Sequence, residues 1–512
     1  MARDLKPIVQ NDFSGGVNLV VNPYLIAQKQ IAEGTDLWLD EHGSLRTRGG
    51  VLNLSTSPNV FDPIYHRGLL SREDGNEFPF VIQKTNGADT NTLWRTDLAP
   101  WSNIGTFGVN ELLPHSFTVN DVAFFVPGYV TPKTWDGTTF ANITGQAGQT
   151  VPPGAKHAAF HLGAVWLWNT AAVSAPIDGP SSLRMSGPND ITDWPTSNQT
   201  FIGKGDGQEG MGMSSFTIVE TGISPTATLV LFKNYSAYQV TGVFGSDNFS
   251  IQPIKTDMGC VAPRTIQFVA GFGIIRLTHK GFALYNGVED RLISEEVRPA
   301  IFGDPETTGL DFTTLRLSWA AQNPNPPLYV AACPVEGASL TRLFIYDLIR
   351  RGWTLCTLPT PVSTMSLYLT TGEFPSIHAG TFFGGKLQQL FATNQFTDNG
   401  SDIGWSMETK SYFVQNQVEP AFWRRAQVQI LGQPGYFVQI QPVVDGNVRE
   451  SKYYRFPPVT GPELVEAVFS RDIRETAHNV RLRVSGKGRA YIRGVELQAS
   501  AKPITKWRTL AS

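Results

Sequence analysis

The residues best equipped for chemistry in this chain are scattered, and their spacing limits what they can do. Gly205-Asp206-Gly207-Gln208-Glu209-Gly210 has the glycine spacing of a dinucleotide-binding loop. Such a loop must feed a helix whose N-terminus meets the pyrophosphate. Met211-Gly212-Met213 followed by Phe216-Thr217-Ile218 is a poor helix start, so the stretch reads as a loop entering a sheet. His157 and His161 stand four apart, but Gly163 and the strand-like Val165-Trp166-Leu167 argue against a shared helical face. The carboxylate pairs Asp4 and Asp12, Asp36 and Asp40, and Glu295 and Glu296 have no His or Arg partner at a catalytic spacing. Cys260, Cys333 and Cys356 are odd in number, with no Cys-x-x-Cys, and read as buried reduced thiols. The expectation from these residues is no catalytic group, no cofactor and no metal ligand, and a chain that is not an enzyme.

The elements that must position any such group are short strands. Among 512 residues there are 49 Gly and 34 Pro, charged residues are 17% and aromatics 11%, which suits many strands joined by turns. Trp135-Asp136-Gly137 and Tyr285-Asn286-Gly287 predict tight type I′ hairpins. Candidate strands lie at 78–82, 122–126, 164–168, 229–232, 273–277, 328–332 and 343–346, several of them apolar at consecutive positions. Such runs should be buried on both faces. Their recurrence predicts an all-β fold, with a β-propeller of short antiparallel strands over 51–400. Ser186-Gly187-Pro188-Asn189-Asp190-Ile191-Thr192-Asp193-Trp194 is an analogue of the Asp-box turn, with side chains bonding their own backbone over an aromatic plug. Ser294-Glu295-Glu296-Val297 predicts one helical turn before Pro299, and 323–327 an exposed loop.

Residues 1–50 read as a leader, with a turn at Phe13–Asn18, one or two helical turns within 28–36 and a strand at Leu37-Trp38-Leu39. Over 401–512 the pattern alternates cleanly, as Val480, Leu482 and Val484 do with Arg481, Arg483 and Ser485, predicting a C-terminal β-sandwich. A hairpin turn is expected at Asp445-Gly446 and a β-bulge near Gly494.

A formal charge of −3 excludes a globally basic nucleic-acid coat. Residues 421–512 nevertheless hold fifteen Lys or Arg against seven Asp or Glu. This asymmetry nominates Arg424, Arg425, Arg481, Arg483, Arg489 and Arg493 as an interface with an acidic neighbour. The start lacks the apolar run of a secretory signal, and no window approaches 18 apolar residues, so no membrane span is expected.

Several phrases together resemble one family. Phe13-Ser14-Gly15-Gly16-Val17-Asn18 and the run from Asp40 to Gly50 are similar to the entry of tail nozzle, or packaged-DNA-stabilisation, proteins of short-tailed bacteriophages. Gly259-Cys260-Val261-Ala262, the run from Gly281 to Gly287, Ile293-Ser294, and Tyr346-Asp347-Leu348 before Gly352-Trp353 resemble its blade phrases. Arg489-Ala490-Tyr491-Ile492-Arg493-Gly494-Val495-Glu496-Leu497 is similar to its closing sandwich strand. The resemblance implies a virion protein made in a host cytoplasm, forming a homohexameric ring at the end of the tail. That ring would bind an adaptor ring, carry tail fibres or tailspikes as further candidate partners, and retain genomic DNA that later passes its lumen without sequence-specific binding. The alternatives are a glycan-degrading propeller enzyme and a non-catalytic host-surface adhesin.

Overall fold

The computed structural model describes residues 6–501, apart from short stretches at 86–89, 110–113, 147–150, 172–178, 219–225, 306, 372–373, 393–394, 415–418 and 459–463. Among the described residues, seven antiparallel sheets of four or more strands follow one another as blades. The first strands of the blades are Ile64–Ser71, His115–Val119, Ala155–His161, Gly210–Ile218, Gln267–Val269, Trp319–Pro324 and Val362–Tyr368. Each packs beside the next, and the last packs beside the first, so the ring closes around an axis. The chain is a β-propeller.

Consecutive apolar runs are explained by the second strand of each blade, which is covered on both sides. In Val122–Val126, Phe124 and Val126 pack toward blade 3 while Ala123 and Phe125 pack toward blade 1. In Ala164–Thr170, Val165 and Leu167 face blade 2 while Trp166 and Trp168 face blade 4. Fully burying one such side chain contributes roughly 1.5–3 kcal/mol. The ring is therefore held by interdigitated blade faces.

Blade 7 takes three strands from 362–392 and its fourth, Gly50–Thr56, from the other end of the chain. Blade 6 is widened by Gly16–Val17 and Gln30–Ile31, which run parallel to each other beside Trp353–Leu358. Beyond the propeller, two sheets pack face to face around a core that includes Trp405, Trp423, Val428, Ile440, Leu482 and Leu497. One holds Ala421–Gly432, Val465–Ala477 and Ala490–Ala501, and the other holds Gly404–Glu408, Phe437–Val444 and Val480–Lys487. The amino-terminal strands Lys6–Gln10, Leu37–Leu39 and Leu45–Thr47 extend the first sheet, and Glu33–Thr35 extends the second. Residues 1–50 are thus no separate leader where described. The helical turns expected within 28–36 are strands instead, because each finds a sheet edge to complete.

Turns differ in detail from the sequence expectation. At Asp136 and Asn286 the loops span four residues, and only Gly137 and Gly287 have positive φ, at 93° and 98°. The Asp136 and Asn286 carboxyl and amide oxygens accept from two backbone N–H groups further on, which replaces the type I′ geometry. The two-residue turns with both φ positive are found at Asn120-Asp121, Leu162-Gly163, Asn399-Gly400 and Asp445-Gly446. The helical turn at 295–297 continues through Pro299 to Phe302, since a proline in the first helical turn gives up no bonded N–H. Ser294 caps nothing there; its Oγ accepts from the Phe282 N–H. The bulge near Gly494 falls at Arg493, between the pairs Gln429–Gly494 and Ile430–Ile492.

Candidate functional site

The short first strand of blade 5 follows a turn at Pro263–Thr265 that places Arg264 on the propeller axis. Its Nη2 donates to the Pro114 carbonyl at 2.5 Å, and its guanidinium lies 5.3 Å from the Trp319 ring centre. His66, His115 and His157 come from the first strands of blades 1, 2 and 3 and share this cavity of ≈ 210 Å³. His66 Nε2 bonds Ser116 Oγ at 2.6 Å, and His157 Nε2 bonds the Gly210 carbonyl at 3.1 Å. Burial, and then the Arg264 charge, push His66 and His157 down to about 3 and His115 well below its ordinary value. All three imidazoles are neutral at pH 7, so the cluster offers hydrogen bonds around one cation.

Above it, where the blades' first strands begin, a cavity of ≈ 310 Å³ is lined by Tyr65, Lys156, Glu209, Arg316 and Phe382. Lys156 Nζ meets Glu209 Oε2 at 2.6 Å, and Asn169 Nδ2 donates to the same oxygen at 3.2 Å. Glycoside hydrolysis uses two carboxyl groups about 5–9.5 Å apart. Among the described residues lining these two cavities, Glu209 is the one carboxylate.

Gly205-Asp206-Gly207 is a loop between blades 3 and 4, and the buried Lys233 holds it through Asp206 at 2.7 Å and the Ile202 and Gly203 carbonyls. His157 and His161 lie on one strand, about 13 Å apart at strand rise, and bond blade 4 separately, His161 Nδ1 to Ser215 Oγ at 2.8 Å. Asp36 pairs with Arg48, Asp12 with Lys29, and Glu296 accepts from Gln30, while Asp40 bonds its own turn; Asp4 lies outside the described residues. The three cysteines are free and buried, and burial raises Cys260 and Cys333 to about 12. Trp194 is a buried plug whose Nε1 donates to Ile191, with Asp190 bonding Thr192, as the turn's composition suggests.

The six arginines do not form one patch. Arg481 and Arg483 both grip the carboxylate of Glu408, which is 2% exposed. Arg425 donates to Gln498, and Arg493 meets Glu466 at 3.1 Å on the other sheet, where Arg424 is exposed beside a bulge. Arg489 stacks on Phe396 at 4.5 Å, facing the propeller. Sequence reading missed the axial cluster. A trace was there: His66, His115 and His157 each stand within the first three residues of successive blades' inner strands.

No family model matches the chain, and no curated protein matches it. Solved structures that match include YCF48 bound to a D1 peptide, at 11% identity and a TM-score of 0.39 over 69% of this chain and 97% of that one. Another is PorZ, a surface component of the type-IX secretion system of Porphyromonas gingivalis, at 9% identity and 0.37 over 86% and 62%. A third is an exo-beta-1,3-galactanase from Phanerochaete chrysosporium, at 8% identity and 0.25 over 86% and 99%. The last corrects the expectation that the chain is no enzyme. A glycan-acting enzyme is among its matches, so scattered carboxylates in an all-β sequence are no ground for excluding catalysis. At these TM-scores no match carries an activity to this chain.

Proposed function

We propose that this chain is a structural subunit of a bacteriophage tail nozzle, assembling into a homohexameric ring whose lumen retains and then passes genomic DNA. The observation that supports this most is where the family-like phrases meet. Scattered over nearly five hundred residues in sequence, several of them meet in two places, one between blades 5 and 6 and one in the sandwich. Gly16 pairs with Trp353, Trp353 Nε1 donates to the Ile293 carbonyl, and Ile293 N–H donates to Phe282. Leu45 and Arg46 pair with Ile492 and Tyr491 in the closing sandwich strand.

The propeller's own axis is narrowed by Arg264, the three histidines and Trp319 to a cavity of ≈ 210 Å³. A duplex therefore has to pass between subunits, around a larger sixfold axis, and a weakly acidic ring wall would let phosphates slide. Closed sixfold symmetry needs two different patches per subunit. Exposed Arg424 on the sandwich offers one basic contact for a neighbour or an adaptor ring.

Analytical ultracentrifugation and negative-stain microscopy of the purified chain, alone and with tail proteins, test this reading. Sixfold rings are the expected result. A persistent monomer that adds to no tail assembly and releases sugar from glycans would replace it with the glycan-degrading alternative.

A further inference from the structure

A cleft of ≈ 360 Å³ opens where the sandwich meets the loops joining the first and second strands of blades 6 and 7. Its floor holds two cations stacked on rings. The Arg46 guanidinium sits 4.5 Å from the Trp38 ring centre, and that of Arg489 sits 4.5 Å from Phe396 and 5.5 Å from Tyr491. Three N–H groups beside them, Arg46 Nε, Arg489 Nε and Trp38 Nε1, are buried with no acceptor among the described residues. Trp38 itself is only 7% exposed. Arg489 Nη2 donates to the Tyr491 hydroxyl at 3.1 Å. Burial alone would raise the Tyr491 phenol, yet the two arginines outweigh it and lower its pKa, which registers the positive field. No Asp or Glu is among the described residues lining the cleft. Phe374 stands at the rim, 90% exposed.

Two guanidinium groups with no carboxylate beside them match a group carrying about −1.5 to −2 charge and several acceptor oxygens, as a phosphate monoester does at pH 7. A free ring face at the mouth suits a base or other flat ring. The volume is within the usual range for small-ligand sites. We propose that this cleft binds a nucleotide-class ligand, its phosphate on Arg46 and Arg489 and its ring against Phe374. The site is independent of the ring assembly proposed above.

Isothermal titration of the full chain with AMP, with adenosine and with inorganic phosphate tests it. AMP is expected to bind with a Kd below about 1 mM and adenosine at least tenfold more weakly. Arg46→Gln and Arg489→Gln should each weaken AMP at least tenfold, with melting curves showing the variants folded. Phe374→Ala, at an exposed position, should weaken AMP severalfold and leave inorganic phosphate unchanged. Adenosine binding as tightly as AMP, or AMP binding unchanged in Arg46→Gln/Arg489→Gln, would overturn the site. Inorganic phosphate matching AMP would overturn the nucleotide class.

Discussion

Blade 5 and blade 7 follow the same four-stranded plan from differently sourced chain. Blade 5 is continuous from Gln267 to Leu292, and its buried pair, Arg276 with Asp290, spans fourteen residues at 3.0 Å. Blade 7 borrows Gly50–Thr56, and the Arg48 beside that strand reaches Asp36 at 2.7 Å, Asp398 at 2.8 Å and the Thr357 carbonyl at 3.2 Å. The same chemistry is a local staple in one blade and a clasp for the whole ring in the other. Position in the chain decides which.

The sharpest way to break that contrast is to replace each arginine by methionine. Removing one partner of a buried pair costs about 3–5 kcal/mol, and Arg48→Met strands two carboxylates. Urea unfolding followed by hydrogen exchange should show Arg48→Met exposing blades 6 and 7 and the sandwich together, and Arg276→Met exposing blade 5 first. Exchange confined to residues 36–56 in Arg48→Met would defeat the idea of a clasp. In the sandwich, Arg481→Glu with Arg483→Glu puts three carboxylates where one buried Glu408 sat. A loss of about 3 kcal/mol in folding stability is expected; an unchanged urea midpoint would favour the interface reading of these two arginines.

Acid probes the axis. In the unfolded chain His66 charges near its ordinary 6.5, and in the folded chain only near 3. Between these values the unfolded state binds more protons, so stability falls as pH drops below about 6.5 and is complete above it. At pH 5 this is about 2 kcal/mol for one histidine. His66→Gln should recover that much of the difference between pH 7 and pH 5; equal acid sensitivity in the variant would remove His66 from the account. Least of all, Gly287→Val forces a β-branched residue to a φ of 98°. A cost of about 1–2 kcal/mol is expected, visible as lower yield and confined by exchange to blade 5.

The sequence made the second strands legible because both of their faces are covered, so apolar residues run on without alternation. The first strands escaped notice, since half of each lines an axis where His66, His157 and Gln267 are tolerated. Residues 16–17, 30–31 and 33–35 could not be read as strands: two or three residues carry no period, 16–17 and 33–35 find partners hundreds of positions away, and 30–31 only completes the edge that 16–17 forms. Arg481 and Arg483 looked like a free basic face because Glu408, the residue they enclose, is more than seventy positions earlier. The aromatic cleft was hidden for the same reason, its arginines being contributed from opposite ends of the chain.

Borrowing Gly50–Thr56 also sets a schedule. A ribosome adding roughly 5–20 residues per second delivers that segment some 330 positions before Lys386–Ala392, the strand it must join. The nascent segment therefore waits on the order of 20–70 s with an unmatched edge. Anything that occupies that edge during translation would leave an open horseshoe of blades in place of a closed wheel.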